Sequence, residues 1–591
     1  MGNFIKNMFA ATLGTLIAGS LLLVFFLTVV GAIVGAVAMS ESSVTVEKSS
    51  VLALSLSRPI VDRASNDPFS MLGSMSGQSE LALGLNDILR SVENAKSDEK
   101  IKGILLLDMG YANTGAATVE EIRNALLDFR QTGKFIISYS DYYGQMPYYL
   151  ATVADKVYMN PEGLLDLHGL GASVMFFKGA LDKLGVEAQI IRHGKFKSAV
   201  EPFMYEKMSD ENRAQVKTYT GSIWLHMLKG ISQQRPNVTP EKLNAIANNL
   251  LLRDAEAAVS LGLVDELKQR DELLSELALL TQMDESAKPN LVSVDDYRTT
   301  LTPKNITAKS KVAIVYAEGD ILDNGKDGIV GKTLAAELRD VRRDSSIKAV
   351  VLRVNSPGGS ALASELIWRE VNLMKQTKPV VVSMGNVAAS GGYYVACPAN
   401  YVMANPSTIT GSIGVFGVLL NAKKFFNSKL GITVDVAATN DHADMGSIHR
   451  ALTAPEENFL QHHVEKVYST FVGHVAEGRG MKFSEVDNIG QGRVWSGVDA
   501  KKNGLIDEFG GLNAAVEKAV LLANLEQYRV VELPKQKETF ELIMEGFSQA
   551  KTKLTQKISA DNILESYEPV NKLLRMNGKA QARLPYEVEV K

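Results

Sequence analysis

Only one cysteine, Cys397, is present in 591 residues. That excludes an intrachain disulfide framework and any multi-cysteine metal site. A lone cysteine is read first as a small core filler rather than a nucleophile. A basic excess is missing too: 63 Lys+Arg stand against 67 Asp+Glu, a net charge of −4, with both signs dispersed. Nucleic-acid binders concentrate cations to neutralise phosphates, so that class is disfavoured. The eight histidines show no HExxH spacing, and adjacent His462 and His463 point to different helix faces. No glycine loop matches a GxGxxG or P-loop pattern, so no metal or organic cofactor is expected. What the chain has is a globular composition, 46% apolar and 22% charged. At roughly 100–200 residues per domain it is too long for one core.

Charge is also absent locally. From Asn7 to Ser40 there is no Asp, Glu, Lys or Arg. A bilayer core requires about 20 apolar residues as helix, which this run exceeds. It is also longer than the roughly 7–15 apolar residues of a cleavable signal peptide, although Ala36-Val37-Ala38 resembles a cleavage site. Residues 7–40 are therefore expected to be a single-pass transmembrane anchor. Lys6 is the only near-side cation besides the amino terminus, which favours an inside N-terminus and places the remainder on the exported side.

The rest of the chain repeats itself. Ser97–Leu107 (SDEKIKGILLL) aligns with Arg343–Arg353 (RDSSIKAVVLR). Tyr148-Tyr149, Asn160-Pro161 and Leu184-Gly185 recur in the same order as Tyr393-Tyr394, Asn405-Pro406 and Leu430-Gly431. The landmarks define two copies of one unit, residues 50–285 and 311–535, joined by a polar linker at 286–310, with an amphipathic tail at 536–591 ending in the strand-like YEVEV. Each copy alternates β-rich runs with helical spacing. In the second, strands are expected at Val312–Gly319, Ala349–Asn355 and Pro379–Gly385, with a helix over Ala361–Gln376. In the first, Val119, Ile122, Leu126 and Phe129 share one helix face. Apolar strands joined by crossover helices imply parallel pairing, and the class is α/β.

Two loops of the second copy follow consecutive strands at their carboxyl ends, where open α/β sheets place ligands. Asn355-Ser356-Pro357-Gly358-Gly359-Ser360 can turn N–H groups towards one point, as an oxyanion requires, or can be merely a tight turn. Ala388-Ala389-Ser390-Gly391-Gly392-Tyr393-Tyr394 sets a serine among small residues at a strand-to-helix junction. Ser390 is either exposed for attack or a helix N-cap.

The joint pattern SPGG, AASGGYY and NPSTITGSIG resembles the signal peptide peptidase A (protease IV) family. Phe196–Phe203 (FKSAVEPF) is similar to that family's double-length, membrane-anchored branch. The resemblance implies a tandem of two caseinolytic-protease/crotonase-like units and a serine endopeptidase degrading cleaved signal peptides. It implies that Ser390 is the nucleophile, Lys197 the general base, Gly359 and Gly391 the oxyanion donors, and Ser412 the residue positioning the lysine. Lys195 is then a surface residue, and Glu201 either orients its loop or is a surface carboxylate. The implied setting is a bacterial inner membrane with the units on the periplasmic side. The implied partners are peptides, and the implied assembly is a homotetramer. Substrate would pair as an extended strand near the two loops, with small apolar side chains suiting pockets such as Val415–Leu420.

The repeat adds a further expectation. The position matching Ser390 in the first copy is Gln145, followed by Met146 and Pro147, and the position matching Lys197 in the second is near Ala443. Neither copy is complete, so the site must join a first copy to a second, and the resemblance favours joining them between chains. Competing readings are a serine–histidine pair using His442 or His449, crotonase-type acyl-CoA chemistry, and a non-catalytic anchored scaffold.

Overall fold

The computed structural model describes residues 2–40, 44–65, 81–110, 114–302, 305–325, 328–536 and 580–584. A 39-residue helix, Gly2–Ser40, comes first, and those of its side chains that are described are all exposed. Counted over the described residues alone, no helix is long and apolar enough to cross a membrane.

Each unit is built on a parallel sheet of the same design. In the first, Ser50–Ser55, Ile101–Leu107, Phe135–Tyr143 and Lys156–Leu165 lie side by side in chain order. In the second, Lys311–Glu318, Ile347–Ser356, Val380–Ala389 and Tyr401–Ala404 do the same. The strands are apolar on both faces because both faces are covered, as parallel sheets require. The helix expected in the second copy runs Ala361–Met374, and in the first copy Val119, Ile122, Leu126 and Phe129 are fully buried along Ala116–Arg130.

The expected linker is more than a tether. Asn290–Ser293 pairs in parallel with Ser50–Ser55, as Arg529–Leu533 pairs with Lys311–Glu318. The helix Val294–Thr299 then buries Val294 and Tyr297. Polar composition hid a closing edge strand, which needs only a few inward side chains. Of the C-terminal tail only residues 580–584 are described; YEVEV lies outside them.

The two units share a core. Along Lys311–Glu318, Val312 and Ile314 face a cluster containing Leu52, Ile104 and Ile122 of the first unit, while Ala313 and Val315 face the second unit's own helices. Alternate strand residues point to opposite faces, so one strand serves both cores. At this joint the fully buried Arg353 guanidinium bonds Asp62 at 2.8 Å and Glu121 at 2.7 Å, both from the first unit. Glu121 in turn accepts from the Leu512 N–H at 2.7 Å.

A third, mixed sheet lies over this joint, in the order Ile329–Val330, Ile321–Leu322, Gly358–Ser360, Ala580–Arg583, Phe416–Asn421, Glu187–Arg192. The last two pair antiparallel, from Arg192 opposite Phe416 to Glu187 opposite Asn421. This crossing strand carries the first unit's chain into the second unit, five residues before Lys197.

Candidate active site

Ser390 stands where Val380–Ala389 turns into the helix Gly391–Ala396, at φ 54° and ψ −113°. Positive φ is costly for a side-chain-bearing residue and persists where surroundings over-determine it. Here the Ser390 N–H donates to Gly411 O at 2.8 Å, and Ser390 O accepts from the Tyr394 N–H at 2.8 Å. The N-cap reading fails, because the Ser390 side chain makes no capping bond. The glycines that follow are required by space. A Cβ on Gly391 would come 2.7 Å from Ser364 Oγ, and one on Gly392 2.5 Å from Ser356 O.

Lys197 follows the crossing strand and opens the short turn Ser198–Val200. The Gln215 amide holds that turn by donating to Phe196 O at 3.1 Å and Ser198 Oγ at 2.5 Å. Lys197 Nζ lies 2.7 Å from Ser390 Oγ, 3.1 Å from Ser412 Oγ and 3.2 Å from Ser412 O, and all three side chains have no solvent exposure. Burial holds the Lys197 amine well below the usual lysine range, because the charged form loses its hydration and gains no counter-charge. An amine so placed can accept a hydroxyl proton, which is what an unactivated serine lacks.

The expectation that this pair joins two chains does not hold. The crossing strand and the shared core bring Lys197 and Ser390 of one chain together, so no tetramer is needed to complete the site. Lys195 is exposed, 5.5 Å over the Phe196 ring. Glu201 is buried and accepts from Ser209 N–H, Ser209 Oγ and Asn212 Nδ2, so it orders its loop rather than facing solvent. His442 bonds Glu456 at 3.0 Å and His449 packs on Phe426; the partners of Ser390 Oγ are Lys197 Nζ and Gly414 O. Cys397 is a fully buried filler whose thiol burial pushes up.

Three glycines received no individual role from the sequence, although Gly358 and Gly414 lie in its quoted motifs. Gly358, at φ 97°, lies against Gly391: a Cβ there would stand 2.6 Å from Gly391 N and would strike Ala582 O. Gly414 and Gly492 flank the lysine stem, where Cβ atoms would come 3.2 Å from Lys197 Cδ and 2.6 Å from Lys197 Cα. The Gly490-Gln491-Gly492 doublet was a visible signal, but only the tertiary fold shows what it makes room for.

The profile of Peptidase family S49 matches residues 128–284 and 372–526, one stretch in each unit. The chain is 39% identical to "Protease 4" of Haemophilus influenzae, across 76% of this chain and 74% of that one. It is 31% identical to the chloroplastic serine protease SPPA of Arabidopsis thaliana, across 85% of this chain and 74% of that one. A "Putative signal peptide peptidase SppA" of Enterococcus faecium is 31% identical over 38% of this chain and 67% of its own. A solved ClpP1 mutant from Listeria monocytogenes matches 34% of this chain at 14% identity with a TM-score of 0.24, too low to carry an argument.

The class is therefore serine peptidase, a hydrolase. The chain belongs to Peptidase family S49, with two family domains in tandem.

Proposed function

We propose that the chain is a membrane-anchored endopeptidase in which Ser390 is the nucleophile and Lys197 the general base. The observation that carries this reading is the 2.7 Å approach of a buried amine to a buried hydroxyl on a strained strand-to-helix turn. As Oγ attacks a peptide carbonyl, its proton passes to Lys197 Nζ, which the Ser412 side chain and carbonyl hold in line. The Gly391 N–H, next in chain to the nucleophile, and the Gly359 N–H receive the developing oxyanion. The proton then moves to the leaving amine, and water releases the acyl group from Ser390.

The substrates proposed are signal peptides after their excision, in keeping with the name of the Enterococcus relative. The helix Gly2–Ser40 supports the anchoring: Leu16, Leu21, Leu22 and Phe25 are each more than 60% exposed, and none of the described residues covers them. Exposed apolar side chains of this kind favour contact with lipid. The units then lie on the exported side of a bacterial inner membrane.

A fluorophosphonate probe should label the wild type at Ser390, and peptide hydrolysis should disappear with the label in Ser390→Ala. Equal labelling of Ser390→Ala would overturn the assignment. Carbonate-washed membranes should retain the full chain and lose a form lacking residues 2–40.

A further inference from the structure

Both units keep the same three polar side chains beside the nucleophile slot. In the first, Tyr149 OH donates to Glu120 Oε2 at 2.8 Å, and His226 Nε2 lies 3.0 Å from Glu120 Oε1. At the matching positions of the second, Tyr394 OH donates to Glu365 Oε2 at 2.5 Å, and His474 Nε2 lies 3.0 Å from the same oxygen. The tyrosine and histidine rings meet edge to face in both, at 6.5 and 5.4 Å between centroids. Each set joins three helices. The tyrosine is on the helix after the slot, Gln145–Ala151 or Gly391–Ala396. The carboxylate is on the helix before it, Ala116–Arg130 or Ala361–Met374, and the histidine is on Asp210–Gln234 or Ala454–Arg479.

The neighbours of the two sets differ. In the first unit the buried Arg123 guanidinium lies 4.3 Å over the Tyr149 ring. It donates to Tyr149 O, Thr152 Oγ1 and Gly230 O at 2.5, 2.9 and 2.8 Å. That clamp holds the end of Gln145–Ala151 without the carboxylate. In the second unit Trp368 stands in the place of Arg123 and stacks on the His474 ring, 3.5 Å between centroids at 16°. The helix Gly391–Ala396 therefore lacks the guanidinium clamp, and Tyr394 ties it to Ala361–Met374 through Glu365. Burial raises the Glu365 pKa, but the hydrogen bonds from His474 and Tyr394 outweigh it and hold the carboxyl below its usual range, as an acceptor for both.

These two helices begin at the proposed machinery. Ala361–Met374 follows Gly358–Ser360 directly, and Gly391–Ala396 follows Ser390. The Tyr394 N–H closes the first turn on Ser390 O at 2.8 Å. Ser364, next in chain to Glu365, sets its Oγ 2.7 Å from where a Cβ on Gly391 would stand. The Tyr394–Glu365 bond thus governs how the Gly391 N–H sits against the Gly359 loop. Oxyanion stabilisation depends on donors held at the right separation before the charge develops. In the first unit the matching helices begin at Gly115 and Gly144, and the slot holds Gln145, so no chemistry depends on their spacing.

We propose that Glu365, Tyr394 and His474 are positioning residues for peptide hydrolysis, holding the two oxyanion loops in register, whereas Glu120, Tyr149 and His226 only stabilise the first unit. The inference rests on the roles given above to Ser390, Gly359 and Gly391.

The test compares matched substitutions in the full chain in detergent, assayed below the unfolding transition of each variant. Tyr394→Phe, which removes one hydroxyl, should lower kcat roughly tenfold and leave KM within about twofold. Fluorophosphonate labelling should slow in step, because the phosphoryl oxygen of the probe draws on the same donors. Tyr149→Phe should lose stability in denaturant and keep the kcat of the wild type. Glu365→Ala should match Tyr394→Phe, and at a side chain 39% exposed it serves if that variant does not fold. Glu365→Gln, which restores an acceptor, should recover most of the rate. His474→Ala leaves the tyrosine bond in place and should cost about threefold. A wild-type kcat in Tyr394→Phe or Glu365→Ala, a loss confined to KM, or an equal loss of kcat in Tyr149→Phe overturns the positioning role alone. A wild type that is not labelled at Ser390 overturns the dyad reading, and this inference with it.

Discussion

The same slot in the two units has opposite fates. In the second unit it holds Ser390 at positive φ, with two glycines after it and its hydroxyl 3.4 Å from Gly414 O. In the first it holds Gln145, whose helix begins from an unstrained Gly144 at φ −77°. The Gln145 carboxamide accepts from the His168 and Gly169 N–H groups at 2.9 and 2.8 Å and donates to Gly169 O at 3.1 Å. Gly169 is the repeat counterpart of Gly414, so the longer amide ties down the loop that in the second unit faces the serine. In this slot the strained turn goes with the serine, and where glutamine stands instead the turn is relaxed and the space is filled by a structural bond.

The most severe test of this contrast is substitution in both slots. Ser390→Ala and Lys197→Ala should each cut peptide hydrolysis on the order of 10⁴-fold, as removal of a nucleophile or base does elsewhere. Co-expressing the two variants should restore nothing, because both groups come from one chain. Gln145→Ala should leave turnover within about twofold while losing about 1–3 kcal/mol of stability, as buried N–H groups lose their acceptor.

Glycines sharpen the comparison. Gly358→Ala should lower kcat by about 10²–10³-fold, the usual effect of disturbing an oxyanion site. Gly171→Ala, where a Cβ meets nothing within 4 Å, should change neither rate nor stability measurably.

The joint between the units can be broken at Arg353. Arg353→Ala leaves Asp62 and Glu121 buried without their cation and should cost about 3–5 kcal/mol in denaturant unfolding. Because that joint aligns Lys197 with Ser390, activity should fail at a lower temperature in the variant than in the wild type.

A smaller effect is expected with pH. Lys197 must be neutral to accept a proton, and burial depresses its pKa. The rate should therefore hold above that depressed pKa and fall as pH drops through it, on a limb well below the titration of free lysine. The limb of kcat/KM should stay in place in His442→Ala; movement with the histidine would favour the serine–histidine pair. Least of all, Lys195→Ala should alter the rate by no more than about twofold, as exposed substitutions do.

The sequence by itself determined the tandem repeat, the α/β class, the strand and helix cores and the two glycine loops, one of them carrying Ser390, and these rest on local properties, hydrophobic period and glycine spacing. Lys197, Gly359, Gly391 and Ser412 came in through the resemblance to a known family, which also gave Ser390 its role. The sequence also showed that each copy lacks one half of the pair. Whether the halves meet within a chain or between chains was decided by the tertiary structure, through the crossing strand Glu187–Arg192 and a core shared by Val312 and Ile314 with Ile104 and Ile122. The polar stretch read as a linker became an edge strand for the same reason, since pairing partners are set by neighbours distant in sequence. The buried Glu201, the glycines flanking the Lys197 stem, and the strand Ala580–Arg583 in the mixed sheet are likewise contacts across long sequence separations. No local pattern encodes them, because backbone pairing and close packing depend on which surfaces the whole chain brings together.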